Sequence, residues 1–271
     1  MNDRLLDISG SQYAAPDRGT SDVRAEARHE VALLRLADQV VHKLAVRMHP
    51  EARSGTTRAV PTDDLVRCLL AGDEQAACDL VLQAHRGDGS LRNAYFRSLA
   101  PALCQLGEMW DSDEVSFVQV SLSAGWILSI MRALRRDMWV RLPTPRPGHL
   151  ALFANDPGEG HVIGVTMAAD LFREQGWQVD MCTWAVTDQL VELARRSAYP
   201  VVALSAGRPI EPERLSGLII ALRRATPDVR VLISGRVVDL MPGIGPLVGA
   251  DAAETDFDRA LACCEAFVTG R

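Results

Sequence analysis

The fold is decided by residues 150–174, which read LALFANDPGEGHVIGVTMAADLFRE. This stretch opens with a short apolar run, Leu150 to Ala154, and a run of this length is typical of a strand buried on both faces of a parallel sheet. A glycine-rich loop follows, and residues 161–174 then have the apolar spacing of a helix. The order strand, loop, helix predicts the first unit of an α/β domain.

The same alternation of apolar runs and helical stretches continues through the rest of the chain. We therefore predict an α/β fold, in which a C-terminal flavodoxin-like doubly wound parallel sheet is preceded by an all-α helical bundle. Strands are predicted at 177–184, 201–204 and 229–233, with a short fifth strand near Leu247, and helices at 188–197, 212–225 and 256–267. The strand at 177–184 alternates in polarity, as an edge strand does.

Helical spacing dominates the chain before the sheet. Helices are predicted at 62–70, 73–85, 91–109 and 116–141, with a break or kink at Pro101. The predicted division of the chain is a disordered lead at 1–21, an N-terminal helix at 22–49, a helical bundle cap at 62–141 and a ligand-binding domain at 149–271.

The last helix of the predicted bundle is apolar on two sides. An ordinary surface helix needs one apolar stripe, so this helix is expected to pack against a second body: the next domain, a cofactor or another subunit. Polar residues interrupt its apolar run, which favours a buried helix over a membrane span. The two stripes are Val115, Val118, Leu122, Trp126 and Ile130, and Phe117, Val120, Ile127, Met131 and Leu134.

Composition restricts the classes of partner. The chain has 271 residues, a net charge of −6 and no dense stripe of lysine and arginine, so no strong direct binding to nucleic acid is expected. The six cysteines contain no Cys-x-x-Cys pair, and the first twenty residues lack an apolar run. We therefore expect a cytoplasmic protein with reduced thiols and without membrane attachment.

The loop from Asn155 to Gly164 is the first place to look for chemistry. Ligands of such sheets bind at the carboxyl ends of the strands, and this loop follows the first of them. It matches neither the dinucleotide fingerprint nor the phosphate-binding P-loop. It places Glu159 two residues before His161. A neutral imidazole oriented by a carboxylate is a good metal ligand, although a lone histidine at a helix start is more often a cap-region or surface residue.

Four separate elements of this half together resemble the cobalamin-binding domain family. That family has an Asp-x-His-x-x-Gly loop after its first strand, a serine near the end of the third and a Gly-Gly pair after the fourth. The corresponding residues here are Glu159-Gly-His161-Val-Ile-Gly164, Leu204-Ser205-Ala206 and Ser234-Gly235, and Gly249-Ala-Asp251 resembles the family's ending. The resemblance implies that 149–271 is a cobalamin-binding domain.

The resemblance also implies a role for each matched residue. His161 would be the lower axial ligand of the cobalt, and Glu159 would orient its ring. Gly164 would let the helix approach closely, Ser205 would hydrogen-bond the buried nucleotide tail, and Ser234 and Gly235 would flank the slot that holds the tail.

Two positions depart from the family's pattern. Glu159 stands where the family has aspartate, which changes how the acid holds the imidazole. Ser234 stands where the family has the first glycine of its pair, and this puts a side chain where the nucleotide tail would run. A domain that binds no cofactor is therefore one alternative.

The stretch Leu106-Gly-Glu-Met-Trp110 resembles the helical cap that covers the upper face of the cofactor in related proteins. Trp110 would then lie against the corrin ring, or alternatively it is a core tryptophan of the bundle. Light-sensing relatives carry Glu-His ten and eleven residues after this tryptophan. Here those positions are Val120 and Ser121, so the upper histidine is missing and the light-driven ligand switch of those relatives does not carry over to this chain. The identity of the upper ligand is left open.

From about Leu65 to the end, the chain is most similar to cobalamin-binding regulators of the AerR/PpaA type from purple photosynthetic bacteria. The resemblance implies a non-enzymatic, light-responsive antirepressor that binds hydroxocobalamin or adenosylcobalamin. Its partner would be a DNA-binding transcriptional repressor of photosynthesis genes. Two alternatives are a corrinoid carrier protein of a methyltransferase system and a haem-binding redox sensor.

Overall fold

The computed structural model describes residues 60–157, 162–183, 185–207 and 210–270. The predicted lead at 1–21 and the predicted helix at 22–49 lie outside these residues. Glu159 and His161 also lie outside them.

The helical region begins with α1 (Thr62–Leu70) and α2 (Glu74–Asp88), which confirm the first two predicted helices. Asp73 caps α2, because its carboxylate accepts a 3.0 Å hydrogen bond from the backbone nitrogen of Ala76. Gly89 ends α2 in the left-handed conformation, with φ 66°. The helix therefore runs three residues beyond the predicted end.

The predicted helix at 91–109 is three consecutive segments. They are α3 (Leu91–Asn93), a π-helical segment (Ala94–Leu99) that we call π1, and α4 (Ala100–Asp111). Pro101 lies in the first turn of α4, where its missing N–H removes one hydrogen bond to the preceding turn. The break or kink that the sequence predicts at Pro101 is therefore a change from π-helix to α-helix just before this residue.

The longest helix is α5 (Phe117–Trp139), which Ser116 and Gln119 start with a capping box. Among the described residues it is long and apolar enough to span a membrane, with a mean hydropathy of 1.4 over its best window. Its C-terminal half is packed in the protein core, and Arg135 from this half binds a buried carboxylate. Both features are typical of a core helix in a globular protein.

The described residues form a five-stranded sheet in the order β2-β1-β3-β4-β5, with every pair of neighbours parallel. This order confirms the predicted flavodoxin-like doubly wound sheet and places β2 at an edge, as its alternating sequence predicts. The strands are β1 (Leu150–Asn155), β2 (Gln178–Cys182), β3 (Val201–Ser205), β4 (Arg230–Ser234) and β5 (Ala252–Ala253).

The predicted position of the fifth strand is wrong. Leu247 lies in a short helix, and the strand follows five residues later with only two residues. Ile244 and Val248 are both buried, which is the spacing of a helix rather than a strand. Gly249 ends that helix with φ 77°, and the chain then enters the sheet.

Helices cover both faces of the sheet. One face packs against α6 (Val162–Glu174) and α11 (Phe257–Thr269), and the other against α7 (Thr187–Ser197) and α8 (Pro212–Ala225). Two short helices, α9 (Val237–Leu240) and α10 (Ile244–Val248), lie between β4 and β5. These helices confirm the ones predicted at 188–197, 212–225 and 256–267, and α8 begins and ends at the predicted residues.

A single hydrophobic core joins the bundle to the first face of the sheet. It contains Ile127 and Met131 from α5, Phe172 from α6 and Phe153 from β1, all buried. The C-terminal half of α5 thus packs against the next part of the chain, which is one of the partners expected for its second stripe. Its N-terminal half leaves Val118 and Leu122 more than half exposed, at 61% and 54%.

Candidate cofactor site

Three polar residues stand side by side at the carboxyl ends of the central strands. Asn155 of β1 is in register with Ser205 of β3, and Ser205 is in register with Ser234 of β4. The residue two positions earlier in each strand belongs to the core shared with α6 and α11. Because strand side chains alternate between faces, the three polar side chains lie on that same face of the sheet.

This row of polar residues lies at the point where the strand order reverses. The chain leaves β1 to one side for β2 and returns on the other side as β3, which opens a crevice at their carboxyl ends. Asp156 remains joined to the sheet, since its backbone nitrogen donates a 2.8 Å hydrogen bond to the carbonyl oxygen of Ser205. The predicted position of the site at this edge therefore agrees with the topology.

The loops that follow β3 and β4 meet backbone to backbone. Gly235 has φ 90°, and a Cβ at this position would come within 2.6 Å of the carbonyl oxygen of Ala206. The same oxygen accepts a 3.0 Å hydrogen bond from the backbone nitrogen of Val237. Gly235 is consequently required by the fold, because only glycine avoids both the contact and the strain.

Ser234, where the family has a glycine, is the last residue of β4 and is half-buried. It is not among the residues with positive φ, so a side chain is accommodated without backbone strain. The glycine that the local structure requires is the second of the pair, and it is present. Ser234 adds a hydroxyl to the polar row beside Ser205.

Gly164 lies in the first turn of α6, immediately after the predicted metal-binding loop. No atom of the described protein comes within 4 Å of a Cβ built at this position. None of the described residues therefore lies close to the Cβ position of Gly164, and the predicted close approach of the helix at this glycine stays a prediction. Within the described residues, the space at this position is open.

Trp110 lies near the C-terminal end of α4 and is only 6% exposed. Its predicted contact with a corrin ring stays a prediction. On α5, Ser121 Oγ and Trp126 Nε1 are buried, and neither has a hydrogen-bond partner within the described part of the chain. Buried polar atoms normally have partners, so this helix has hydrogen-bonding capacity that the described residues do not use.

A buried carboxylate joins the bundle to the sheet. Asp170 of α6 is fully buried and accepts hydrogen bonds from Tyr95 Oη at 2.7 Å and Arg173 Nη1 at 2.9 Å. Arg135 of α5 approaches the same carboxylate, with Nε 3.0 Å from Oδ1. Burial, together with the nearby negative charge of Asp170, raises the pKa of Tyr95 well above its ordinary value, so its hydroxyl stays a donor.

A second buried carboxylate lies at the start of the glycine-rich loop. Asp156 is 2% exposed and pairs with Arg214 of α8. Arg214 also donates a 2.8 Å hydrogen bond from Nη1 to the carbonyl oxygen of Pro157. Neither residue is predicted from the sequence. Asp156 and Arg214 are 58 positions apart, and no local pattern connects them.

The donor set suits a large polar molecule. The described residues contain no group of three or more His, Cys, Asp or Glu side chains able to hold a metal ion. They offer hydroxyl and amide groups in register, a glycine-bounded turn and open space beside Gly164. These features fit the amide-rich rim and nucleotide tail of a corrinoid, whose own ring nitrogens already hold the metal.

Comparisons with known proteins agree with this geometry. Residues 150–255 match the family model described as B12 binding domain, and residues 62–135 match a second B12 binding domain model. The chain is 24% identical over 158 residues to a Rhodobacter capsulatus protein described as an uncharacterized 20.5 kDa protein in the bchF-crtJ intergenic region. That match covers 58% of this chain and 82% of the relative.

The fold also matches a solved structure. The Methanosarcina barkeri monomethylamine corrinoid protein aligns with 76% of this chain and 96% of its own, with a TM-score of 0.61 and 16% sequence identity. At this identity the likeness shows the fold, namely a helical region followed by a parallel sheet with flanking helices.

Proposed function

Since this chain belongs to the cobalamin-binding proteins built from B12 binding domains, we propose that it is a light-responsive antirepressor. In this proposal the loaded protein binds a DNA-binding repressor of photosynthesis genes and removes it from its operator. The cofactor is of the cobalamin type, and we propose hydroxocobalamin or adenosylcobalamin as the form. Nothing in the comparisons supports haem.

We further propose that His161 binds the cobalt from below and that Glu159 orients its imidazole. When bound, cobalamin would supply a cobalt centre that responds to light or to chemical change. The protein's own contribution is to hold the molecule: Ser205 and Ser234 present hydroxyl groups to its tail, and Gly164 leaves room beside the loop. These roles are supported by the polar row at the strand ends, since Asn155 of that row is the last residue of the strand that precedes the loop of His161.

A regulator needs a path from the cofactor to a partner surface, and one helix supports such a path. Val162 begins α6 directly after His161, and Asp170 lies eight residues further along, a distance of about 12 Å at the rise of an α-helix. Asp170 is held by Tyr95 and Arg135 of the bundle. A displacement at the start of α6 would therefore be transmitted to the bundle, and this buried contact is the observation that carries the proposal.

Two further observations support a protein partner. The relative from Rhodobacter capsulatus is encoded between bchF and crtJ, within a region of photosynthesis genes. The chain itself carries a net charge of −6, which disfavours direct binding to DNA and is compatible with binding a basic DNA-binding protein.

The test measures release of a repressor from DNA. A fluorescently labelled operator is bound by a photosynthesis-gene repressor from the same organism, and its anisotropy is followed as this protein is added, with and without hydroxocobalamin, in darkness and after illumination. We expect release by the illuminated, loaded protein only. The variant His161→Ala should be inactive. His149→Gln should retain activity, because His149 precedes β1 at the amino ends of the strands, away from the proposed site.

The fold likeness to a corrinoid protein favours one competing function, that of a carrier subunit in methyl transfer. A carrier would co-purify with a methyltransferase and accumulate methylcobalamin when a methyl donor is supplied with that enzyme. Methylcobalamin formation together with an unchanged repressor–operator complex would contradict the antirepressor proposal.

A further inference from the structure

The loop that leads to His161 is fastened at its start by an arginine from a different helix. Arg214 is the third residue of α8, which begins at the same carboxyl edge of the sheet after β3. Its guanidinium pairs with the Asp156 carboxylate and also donates a hydrogen bond to the carbonyl oxygen of Pro157 at 2.8 Å. One side chain thus holds two successive residues of the loop.

The burial of Asp156 makes the loss of its charged partner costly. Its side chain is 2% exposed, whereas that of Arg214 is 43% exposed. A carboxylate removed from water needs a charged partner, and the flat guanidinium supplies two donors at a fixed separation. The backbone nitrogen of Asp156 is bonded to Ser205 at the same time. The start of the loop is therefore held from the sheet below and from α8 at its side.

The end of the loop is fixed by α6. Val162 begins this helix, and its carbonyl oxygen accepts a 2.6 Å hydrogen bond from Thr166 Oγ1. In the sequence, the proposed metal ligand His161 therefore comes between Pro157, which Arg214 holds, and Val162, which its helix holds.

We propose that Arg214 is a positioning residue for the lower axial ligand: by holding Asp156 and Pro157, it places His161 within reach of the cobalt. This inference rests on the proposed function, since it requires His161 to be the ligand. Arg214 itself contacts neither the metal nor, in this proposal, the cofactor.

The test uses the full-length protein labelled with nitrogen-15 and loaded with hydroxocobalamin that is then reduced to the paramagnetic Co(II) form. In electron paramagnetic resonance, a protein imidazole labelled with nitrogen-15 splits the cobalt lines into doublets. The cofactor's own unlabelled nitrogen-14 base splits them into triplets. The fraction of doublet signal therefore measures ligation by the protein's histidine.

Four proteins are compared: the parent, Arg214→Gln, Arg214→Lys and the control Arg195→Gln. The control removes an exposed arginine that pairs with Glu192 on α7. We expect the parent and the control to give doublets. Arg214→Gln should lose the doublet and bind cobalamin 10- to 100-fold more weakly, the range typical of residues that support a metal ligand. Arg214→Lys should recover little, because an ammonium lacks the planar pair of donors.

A double variant separates positioning from simple charge compensation. In Asp156→Asn/Arg214→Gln the buried charge is gone, so the unloaded protein should regain the melting temperature that Arg214→Gln loses. The doublet should remain absent. Recovery of the doublet in the double variant, or an undiminished doublet in Arg214→Gln, would overturn the inference. Absence of the doublet from the parent would instead show that the proposed ligand itself is wrong.

Discussion

The hydroxyl of Tyr95 lies 2.7 Å from the carboxylate of Asp170, 75 residues away in sequence, and both side chains are fully buried. Tyr95 belongs to π1 of the bundle, and Asp170 belongs to the helix that begins beside the proposed cofactor loop. The contact is a polar link inside an otherwise hydrophobic interface. Such links require a specific relative placement of the two elements, because each buried partner needs the other.

Replacing Tyr95 by phenylalanine removes one donor from a buried carboxylate and should lower the free energy of unfolding by about 1–3 kcal/mol. Urea denaturation of the unloaded protein measures this change. Tyr199→Phe is the matched control, because Tyr199 donates a 2.6 Å hydrogen bond to the part-buried Asp180 within the sheet region. Tyr95→Phe, and not the control, should weaken the effect of cobalamin on repressor binding. An effect of equal size in both variants would argue against a coupling role.

Substitution of Gly235 by alanine should lower the free energy of unfolding by more than about 2 kcal/mol, because it combines positive φ with a Cβ 2.6 Å from the oxygen of Ala206. Gly243→Ala isolates the strain, since Gly243 has φ 86° and no atom within 4 Å of its Cβ position. That control should lose about 1–2 kcal/mol. Equal losses in thermal or urea denaturation would show that the backbone contact at Gly235 is unimportant.

The Gly164→Ala variant separates an effect on cofactor binding from an effect on the stability of the fold. Gly164 and Gly217 are both helical glycines with no protein atom near their Cβ positions. Either alanine variant should therefore raise the free energy of unfolding by up to about 1 kcal/mol through helix propensity. Only Gly164→Ala should weaken uptake of hydroxocobalamin, measured by absorbance titration, because only Gly164 belongs to the proposed cofactor site. Unchanged uptake would place the cofactor elsewhere.

The linker before β1 is fastened through Glu265, which accepts hydrogen bonds from Arg146, Trp177 and His149. Burial raises the pKa of Glu265, but these three donors outweigh burial and hold the pKa below its ordinary value. A carboxyl whose folded pKa is lowered contributes stability above its unfolded pKa, and the contribution is lost as the pH falls through the folded value. Glu265→Gln should therefore be less stable than the parent at pH 7, by about 1 kcal/mol or less for this partly exposed group.

The difference between parent and Glu265→Gln should close as the pH is lowered below about 4.3, the ordinary value for glutamate. Melting temperatures recorded at a series of pH values measure this. Glu192→Gln serves as the control: hydrogen bonds from Arg195 and Arg196 lower the pKa of Glu192 to about 2, but water screens these exposed charges, so a smaller difference in melting temperature is expected. A gap that widened towards acid pH would contradict the assignment.

The sequence was sufficient to predict most of the fold, because the helices and buried strands have regular apolar spacing. The ends of α1 and α8 agree with the prediction, and both helices are bounded by proline or glycine signals. The two-residue β5 has no room for a pattern, and Leu247, near which the strand is predicted from the sequence, lies in the short helix that holds the buried pair Ile244 and Val248. Short elements are set by their neighbours in space more than by their own residues.

The site was only partly predictable, for a related reason. Ser205 and Gly235 were found through a family motif, and the strand register places them at one edge. Asn155 could have been identified as the polar end of a buried strand. Arg214 and Tyr95 act through partners that are distant in sequence, so no local pattern reveals them. The roles of Glu159 and His161 stay predictions.

The most direct test of the central claim is the absorbance spectrum of the purified protein after incubation with hydroxocobalamin and removal of the free cofactor. We expect the parent and His149→Gln to retain cobalamin with a spectrum shifted from that of the free cofactor, because an imidazole has replaced the cofactor's own lower base. His161→Ala should lose the shift or the cofactor. Identical shifted spectra from the parent and His161→Ala would contradict the claim that this histidine holds the cobalt.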